Sequence, residues 1–264
     1  MSTGPAAVEI TAAHKTYPNG THALLPVDLA VQAGEFVTLL GPSGCGKSTL
    51  LHLVAGLLAP SGGQVRRWGE PVQGNGGGAP QLSFVFQEPT LMPWARVQAN
   101  VRLPLDLAGM PRAPADARVQ AALALVGLER FAGHLPRELS GGMRMRVSIA
   151  RGLVTQPALL LMDEPFGALD EITRHKLDGE LLDLWQRQRL TVLFVTHSIY
   201  EAVYLSSRVV VMAARPGRIV DQVVIDEPHP RGPQFRVSTA FAAYAQRLQD
   251  SLLRASAATE DALA

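Results

Sequence analysis

The sequence predicts an α/β fold with a helical block inserted in it. Three observations carry this. Apolar runs of strand length recur at Glu35–Leu40, Leu82–Phe86, Ala158–Met162 and Thr191–Thr196, each ending in polar or glycine residues. Helical patterns lie between them, as expected for strands joined by crossovers. The first long run passes through a glycine-rich segment directly into a second apolar stretch, Leu50–Leu57, giving strand, loop and helix.

That loop, Gly41-Pro42-Ser43-Gly44-Cys45-Gly46-Lys47-Ser48-Thr49, fits the phosphate-binding pattern G-x-x-x-x-G-K-[ST]. Its glycines let backbone N–H groups curl round an anion without Cβ clashes. The new helix turns its positive dipole end on the same phosphates. Lys47 can reach the β- and γ-phosphates, and the Ser48 hydroxyl can ligate Mg²⁺.

Composition bounds the remainder. The chain has 264 residues, 47% of them hydrophobic, and a formal net charge of +1. This suits a globular α/β core with a subdomain, and gives no sign of a nucleic-acid or membrane-surface binder. The single cysteine, Cys45, rules out a disulfide or cysteine metal site and fits a reducing compartment. No secretion signal, membrane span or internal repeat is read.

In chain order, Val8–Ile10 begins a strand that leads to Tyr17 and turn residues, and Val27–Val31 alternates like a second strand. Gln64–Trp68 reads as another, and Gly74–Pro80 as a connecting loop. Leu82–Phe86 stops at Gln87. A proline-punctuated apolar loop, Glu88–Trp94, follows; its Leu, Met and Trp suit a docking surface if exposed and equally could fold into the core. Helical patterns then cover Val97–Ala108, Ala115–Val126 and Gly142–Val154, broken at Pro111, Pro114 and Pro136. Inside this block, Ser140-Gly141-Gly142 opens a basic helix and offers a second anion site of the same physical kind as the first loop. Ala158–Met162 ends in Asp163-Glu164. Two carboxylates at the end of a buried strand need a positive partner. Mg²⁺ held by Asp163 and Ser48 provides it, leaving Glu164 to accept a proton from the attacking water. Glu171–Gln188 is an amphipathic helix. Thr191–Thr196 stops at His197. Val209–Met212, Gly217–Val220 and Gln222–Ile225 read as a β-meander, and Phe241–Leu253 as an amphipathic stretch in the tail.

Four apolar strands thus finish at Gly41, Gln87, Asp163 and His197. Ligands of open parallel sheets bind at the carboxyl ends of strands, so these groups can converge on one nucleotide. A glycine cradle, Mg²⁺ ligands, a base and two polar γ-phosphate sensors make a hydrolase site.

The order of motifs resembles the ATP-binding subunit of an ABC transporter over most of the chain. Gly41–Thr49 resembles its Walker A, Gln87 the Q-loop glutamine, Leu139–Met143 the family signature, Leu159–Glu164 its Walker B, Ala168–Asp170 the D-loop and His197 the switch histidine. Tyr17 falls where the family places its adenine-stacking aromatic. The segments Val85–Pro89, Leu91–Trp94 and Met162–Asp170 are similar to the nitrate/sulfonate/taurine branch of bacterial importers. Met143 and Met145 replace glutamines usual in the family, and Ser198 and Tyr200 stand where acidic residues are commoner. None of these removes a phosphate, metal or base group.

The resemblance implies a P-loop NTPase core of mostly parallel sheet with an N-terminal antiparallel β-subdomain, forming one domain over residues 1–264. A helical signature subdomain occupies about 90–155 and a C-terminal tail about 228–264. It implies ATP and Mg²⁺ as cofactors, with Ser48, Gln87 and Asp163 at the metal and Glu164, His197 and Gln87 catalytic. It also implies a head-to-tail homodimer in which Ser140, Gly141 and Gly142 complete the γ-phosphate shell of the other subunit's ATP. A membrane permease would be the partner, with an extracytoplasmic solute-binding protein acting through it. The chain would then sit peripherally on the cytoplasmic face of the inner membrane. Rival readings are a soluble, non-transport ABC ATPase acting on DNA or ribosomes, and a small-molecule kinase. The first usually carries coiled-coil insertions, zinc sites or tandem ATPase domains, and none is present. The second leaves the Ser140 motif unexplained.

Overall fold

The computed structural model describes residues 6–72, 82–167 and 169–260. Gly74–Pro80 and Ala168 lie outside them. Two sheets organise the chain. Strands β1 (Val8–Thr16), β2 (His22–Val31), β4 (Gly62–Arg67) and β5 (Glu70–Pro71) form an antiparallel sheet in the order β2-β1-β4-β5. Strands β3 (Phe36–Leu40), β6 (Leu82–Val85), β7 (Leu159–Asp163), β8 (Thr191–Thr196), β9 (Arg208–Ala213) and β10 (Arg218–Val224) form the second, in the order β10-β9-β3-β8-β7-β6. It is parallel from β9 to β6, and β10 pairs antiparallel at its edge.

Strands β3, β7 and β8 are buried on both faces, which is why their sequences are almost unbroken apolar runs. Their side chains alternate between two cores. Phe36, Leu40, Leu160 and Met162 face the core shared with the helices. Val37, Leu39, Leu159 and Leu161 face the antiparallel sheet and helix α1 (Lys47–Ala55). Helix α1 ends at Gly56 in the left-handed conformation, φ 78°, where the Leu57 N–H returns to the His52 carbonyl at 3.0 Å.

The inserted block contains α2 (Val97–Leu107), α3 (Arg112–Leu125) and α4 (Gly141–Leu153). Pro114 does not break α3 as the sequence pattern suggested. It sits in the first turn, where a missing N–H costs nothing. Helix α5 (Glu171–Gln188) is capped by Asp170, which accepts the Thr173 N–H at 3.0 Å. Helix α6 (Ile199–Leu205), absent from the sequence reading, follows β8, and α7 (Thr239–Glu260) closes the chain. The expected meander has one strand fewer, because β10 runs through Val220 with a register irregularity between Ile219 and Asp221. The tail is fastened by Arg231, whose guanidinium donates to the carbonyls of Val203, Tyr204 and Ser206 at the end of α6, and of Ile225 and Glu227. Among the described residues no helix is long and apolar enough to cross a membrane.

Candidate functional site

Register brings the four strand ends together. Leu40 pairs with Thr196, Asp163 with Val195 and Val85 with Met162. Gly41, Glu164, His197 and Gln87 therefore leave the sheet along one edge. At that edge lies a cavity of about 670 Å³ whose lining includes Ser43, Gly44, Gly46, Lys47, Ser48, Thr49, Gln87 and Glu164.

The loop that forms its floor is tightly built. The Lys47 ammonium is 4% exposed, donates to the carbonyls of Gly41 at 2.8 Å and Pro42 at 3.0 Å, and lies 3.6 Å from Glu164 Oε1. These partners hold a buried cation in the cavity floor. A Cβ on Gly41 would meet the Met212 carbonyl oxygen at 2.6 Å and Cys45 Sγ at 2.7 Å. Gly46 has φ 87°, a conformation that a side chain rarely adopts. Cys45 itself is buried, and burial pushes its thiol pKa up.

The carboxylates take different roles through different surroundings. Asp163 is buried, and its Oδ1 accepts the Ser48 hydroxyl at 3.0 Å. Burial raises its pKa, the Glu164 charge adds to this, and the Ser48 bond opposes it. Such a group gains most from a cation placed beside it. Glu164 Oε2 lies 3.1 Å from His197 Nδ1, and its backbone is left-handed with φ 43°. Strained backbone of this kind persists where surrounding structure holds it, and here the Glu164 N–H donates to the Val195 carbonyl at 3.0 Å.

Asp163 and His197 thus reach the cavity through Ser48 and Glu164 rather than lining it themselves. Tyr17 stands outside the wall, half-exposed beside the Lys15 ammonium at 5.8 Å from the ring centre. Ser140 caps α4 as expected, accepting the Met143 N–H at 3.2 Å, but neither it nor Gly141 or Gly142 lines the cavity. Arg151 on α4 donates to the carbonyls of Pro89 and Thr90, tying this helix to the loop that follows Gln87.

Sequence reasoning missed one wall. Thr21, His22, Ala23, Arg215, Pro216 and Gly217 line the cavity from β2 and the β9–β10 turn. Gly217 is wedged there. A Cβ on it would stand 2.6 Å from the carbonyl oxygens of both Ala23 and Cys45, and its own carbonyl accepts the Leu25 N–H at 2.8 Å. The Pro-Gly pair was a readable turn signal. Its contact with the phosphate loop was not.

The donor set fits a magnesium nucleotide. The glycine-rich loop and its lysine line an open cavity, and a hydroxyl and a desolvated carboxylate share a hydrogen bond beside it. Among the described residues no group of three His, Cys, Asp or Glu could hold a metal alone. A cation here needs the nucleotide's phosphates to complete its ligands.

Comparison with known proteins agrees. Residues 24–167, more than half of the chain, match the family model described as ABC transporter. An uncharacterized ABC transporter ATP-binding protein of Methanocaldococcus jannaschii is 48% identical over 237 residues, covering 89% of this chain and 85% of the relative. The taurine import ATP-binding protein TauB of Pseudomonas entomophila is 44% identical over 222 residues, 84% of this chain and 85% of that protein. The dimeric post-hydrolysis structure of the ATP-binding cassette MJ0796, bound to ADP and Pi, superposes with a TM-score of 0.74 at 33% identity, covering 84% of this chain and all of that one. Motif order, strand-end geometry and these likenesses agree, and the chain belongs to the ABC transporter family, among its ATP-binding, ATP-hydrolysing members.

Proposed function

We propose that this chain is the ATPase subunit of a bacterial importer for a small solute of the nitrate, sulfonate or taurine class. The observation that carries the hydrolytic part is the shared bond system Ser48–Asp163 and Lys47–Glu164–His197 at the strand ends. The solute class rests on the likeness to TauB, a taurine import ATP-binding protein.

In this reading the loop Gly41–Thr49 cradles the phosphates, with Lys47 turned from its carbonyl partners toward the β- and γ-phosphates. Ser48, Asp163 and Gln87 would hold Mg²⁺, which would supply positive charge to the phosphates. Glu164 takes the proton of the attacking water. His197, within hydrogen-bond reach of Glu164, orients it and senses the γ-phosphate. Tyr17 would supply the aromatic face that stacks on the adenine.

Ser140, Gly141 and Gly142 serve the ATP of a second copy. Their separation from the chain's own cavity supports this, as does the dimeric state of the MJ0796 cassette. ATP joins the two copies, and hydrolysis releases them. The Gln87 loop and exposed Trp94, 78% accessible, pass the motion to a membrane permease. The permease holds the chain at the cytoplasmic face of the inner membrane, and an extracytoplasmic binding protein delivers the solute. Residues 1–264 act as one domain, with 90–155 as its helical arm and 228–264 as its tail.

The test is a mild-detergent pull-down of the tagged chain from native membranes, with uptake of labelled taurine in cells lacking the chain. Recovery of a multi-spanning permease and loss of uptake support the importer. Recovery of ribosomal or DNA-repair proteins without a membrane partner overturns it and moves the assignment to a soluble ABC ATPase.

A further inference from the structure

Two buried carboxylates lie between His197 and the C-terminal segment. Glu201 on α6 is 4% exposed. Its Oε2 accepts the Thr196 hydroxyl, and its Oε1 lies 3.5 Å from Arg174 Nε on α5. The Thr196 oxygen is used twice, since it also accepts the Ser198 N–H at 3.0 Å. Ser198 Oγ in turn accepts the Glu201 N–H at 3.3 Å. His197 stands between the two residues held in this way, and its ring is otherwise exposed. Its hydrogen bond among the described residues runs from Nδ1 to Glu164.

Asp178 on α5 is the second carboxylate and is fully buried. Its Oδ2 accepts from Arg236 Nη2 at 2.7 Å, and its Oδ1 has no hydrogen-bond partner among the described residues. Arg236 belongs to the short turn Pro233–Val237 ahead of α7, and its guanidinium stacks on Tyr204 of α6 at 3.6 Å. Burial pushes the Glu201 pKa up, the Thr196 hydroxyl and the charges of Arg174 and Arg236 oppose this, and the Glu201 charge disfavours that of Asp178.

A helix cap alone would need only Ser198 and the Glu201 N–H. It would not need a buried glutamate on the hydroxyl of Thr196, nor cations brought from α5 and from the tail. Buried charge is retained against its desolvation cost when it fixes a conformation. Here the conformation fixed is that of the residues flanking His197.

We propose that Glu201 is a positioning residue for His197, acting through Thr196 and Ser198, and that the C-terminal segment supplies in Arg236 a countercharge on which this positioning depends. The inference rests on the reading of His197 given above.

The experiment measures kcat for ATP hydrolysis, ATP affinity by equilibrium titration, and thermal stability on the full chain. The variants are Thr196→Val, Thr196→Ser, Glu201→Gln and Arg236→Met, each alone and combined with His197→Ala. Thr196→Val keeps the shape and removes the hydroxyl, and so remains informative should Glu201→Gln fail to fold. Thr196→Val and Glu201→Gln are expected to lower kcat by about tenfold while ATP affinity changes by less than about twofold. Thr196→Ser should restore kcat, and Arg236→Met should lower it by roughly threefold or more. In the His197→Ala background none of them should cost more, because residues acting through one group are not additive. Undiminished kcat in Thr196→Val, or a full additional loss in the His197→Ala background, overturns the assignment of Glu201. An Arg236→Met protein with unchanged kcat overturns the role of the tail. A His197→Ala protein with unchanged kcat overturns the reading of His197 itself, and this inference with it.

Discussion

Asp178 gives a stability prediction whose sign runs against the usual behaviour of a carboxylate. It is fully buried on α5, and burial, reinforced by the Glu201 charge and opposed by Arg236, lifts its pKa from 3.8 to about 7. Between these values the folded chain keeps a proton that the unfolded chain has released. Stability from this group is therefore complete below pH 4 and declines as pH rises toward 7. At about 1.36 kcal/mol per pH unit the whole effect is on the order of 4 kcal/mol, of which roughly 3 kcal/mol falls between pH 5 and pH 8. Asp178→Asn keeps the shape and cannot ionise, so it lacks this slope. Urea denaturation of both proteins at pH 5 and pH 8 reads the group together with its coupling to Glu201, because the titrations of uncoupled groups cancel in the difference. Between pH 5 and pH 8 the variant should gain roughly 3 kcal/mol on the wild type. A wild-type protein that is more stable at pH 8, by the same margin as at pH 5, would refute the reasoning and make Asp178 an ordinary ion pair with Arg236.

Other perturbations address the site directly. Glu164→Gln should keep ATP binding while lowering kcat by about 10²- to 10⁴-fold, the range of general-base catalysis, as read by phosphate release beside a nucleotide titration. Ser140→Arg should abolish hydrolysis yet leave nucleotide binding to the monomer unchanged; loss of monomer binding would make Ser140 a structural cap alone. Gly217→Ala places a Cβ 2.6 Å from two carbonyl oxygens. It should cost about 1–3 kcal/mol in urea unfolding and weaken ATP binding by displacing the cavity wall.

What the sequence disclosed, and what it did not, follows physical lines. Gly41–Thr49, Gln87, Asp163-Glu164 and His197 were legible because each polar group interrupts an apolar run, and buried parallel strands write such runs plainly. The core strands were legible for the same reason. Helix α6 was not, since the seven residues Ile199–Leu205 are too short to show a helical period. Strand β10 was split by Asp221, whose carboxylate accepts the Ser251 hydroxyl at 2.6 Å, a partner known only from the fold. The His22 and Arg215 wall carries no local pattern beyond the Pro216-Gly217 turn. It exists because the chain returns to itself across nearly two hundred positions, where Leu24 bridges Gly217. Arg236 carries no signal in the sequence, and only folding sets it on Asp178.

The buried thiol of the phosphate loop has a practical consequence. Cys45 is the chain's only cysteine, fully inaccessible, and its burial favours the unreactive protonated form. An alkylating reagent can reach it only when the loop opens, so its labelling rate is a clock for that opening. No engineered probe is required: the untouched protein reports, through one sulfur, how often its floor lifts and how far a bound nucleotide slows that event.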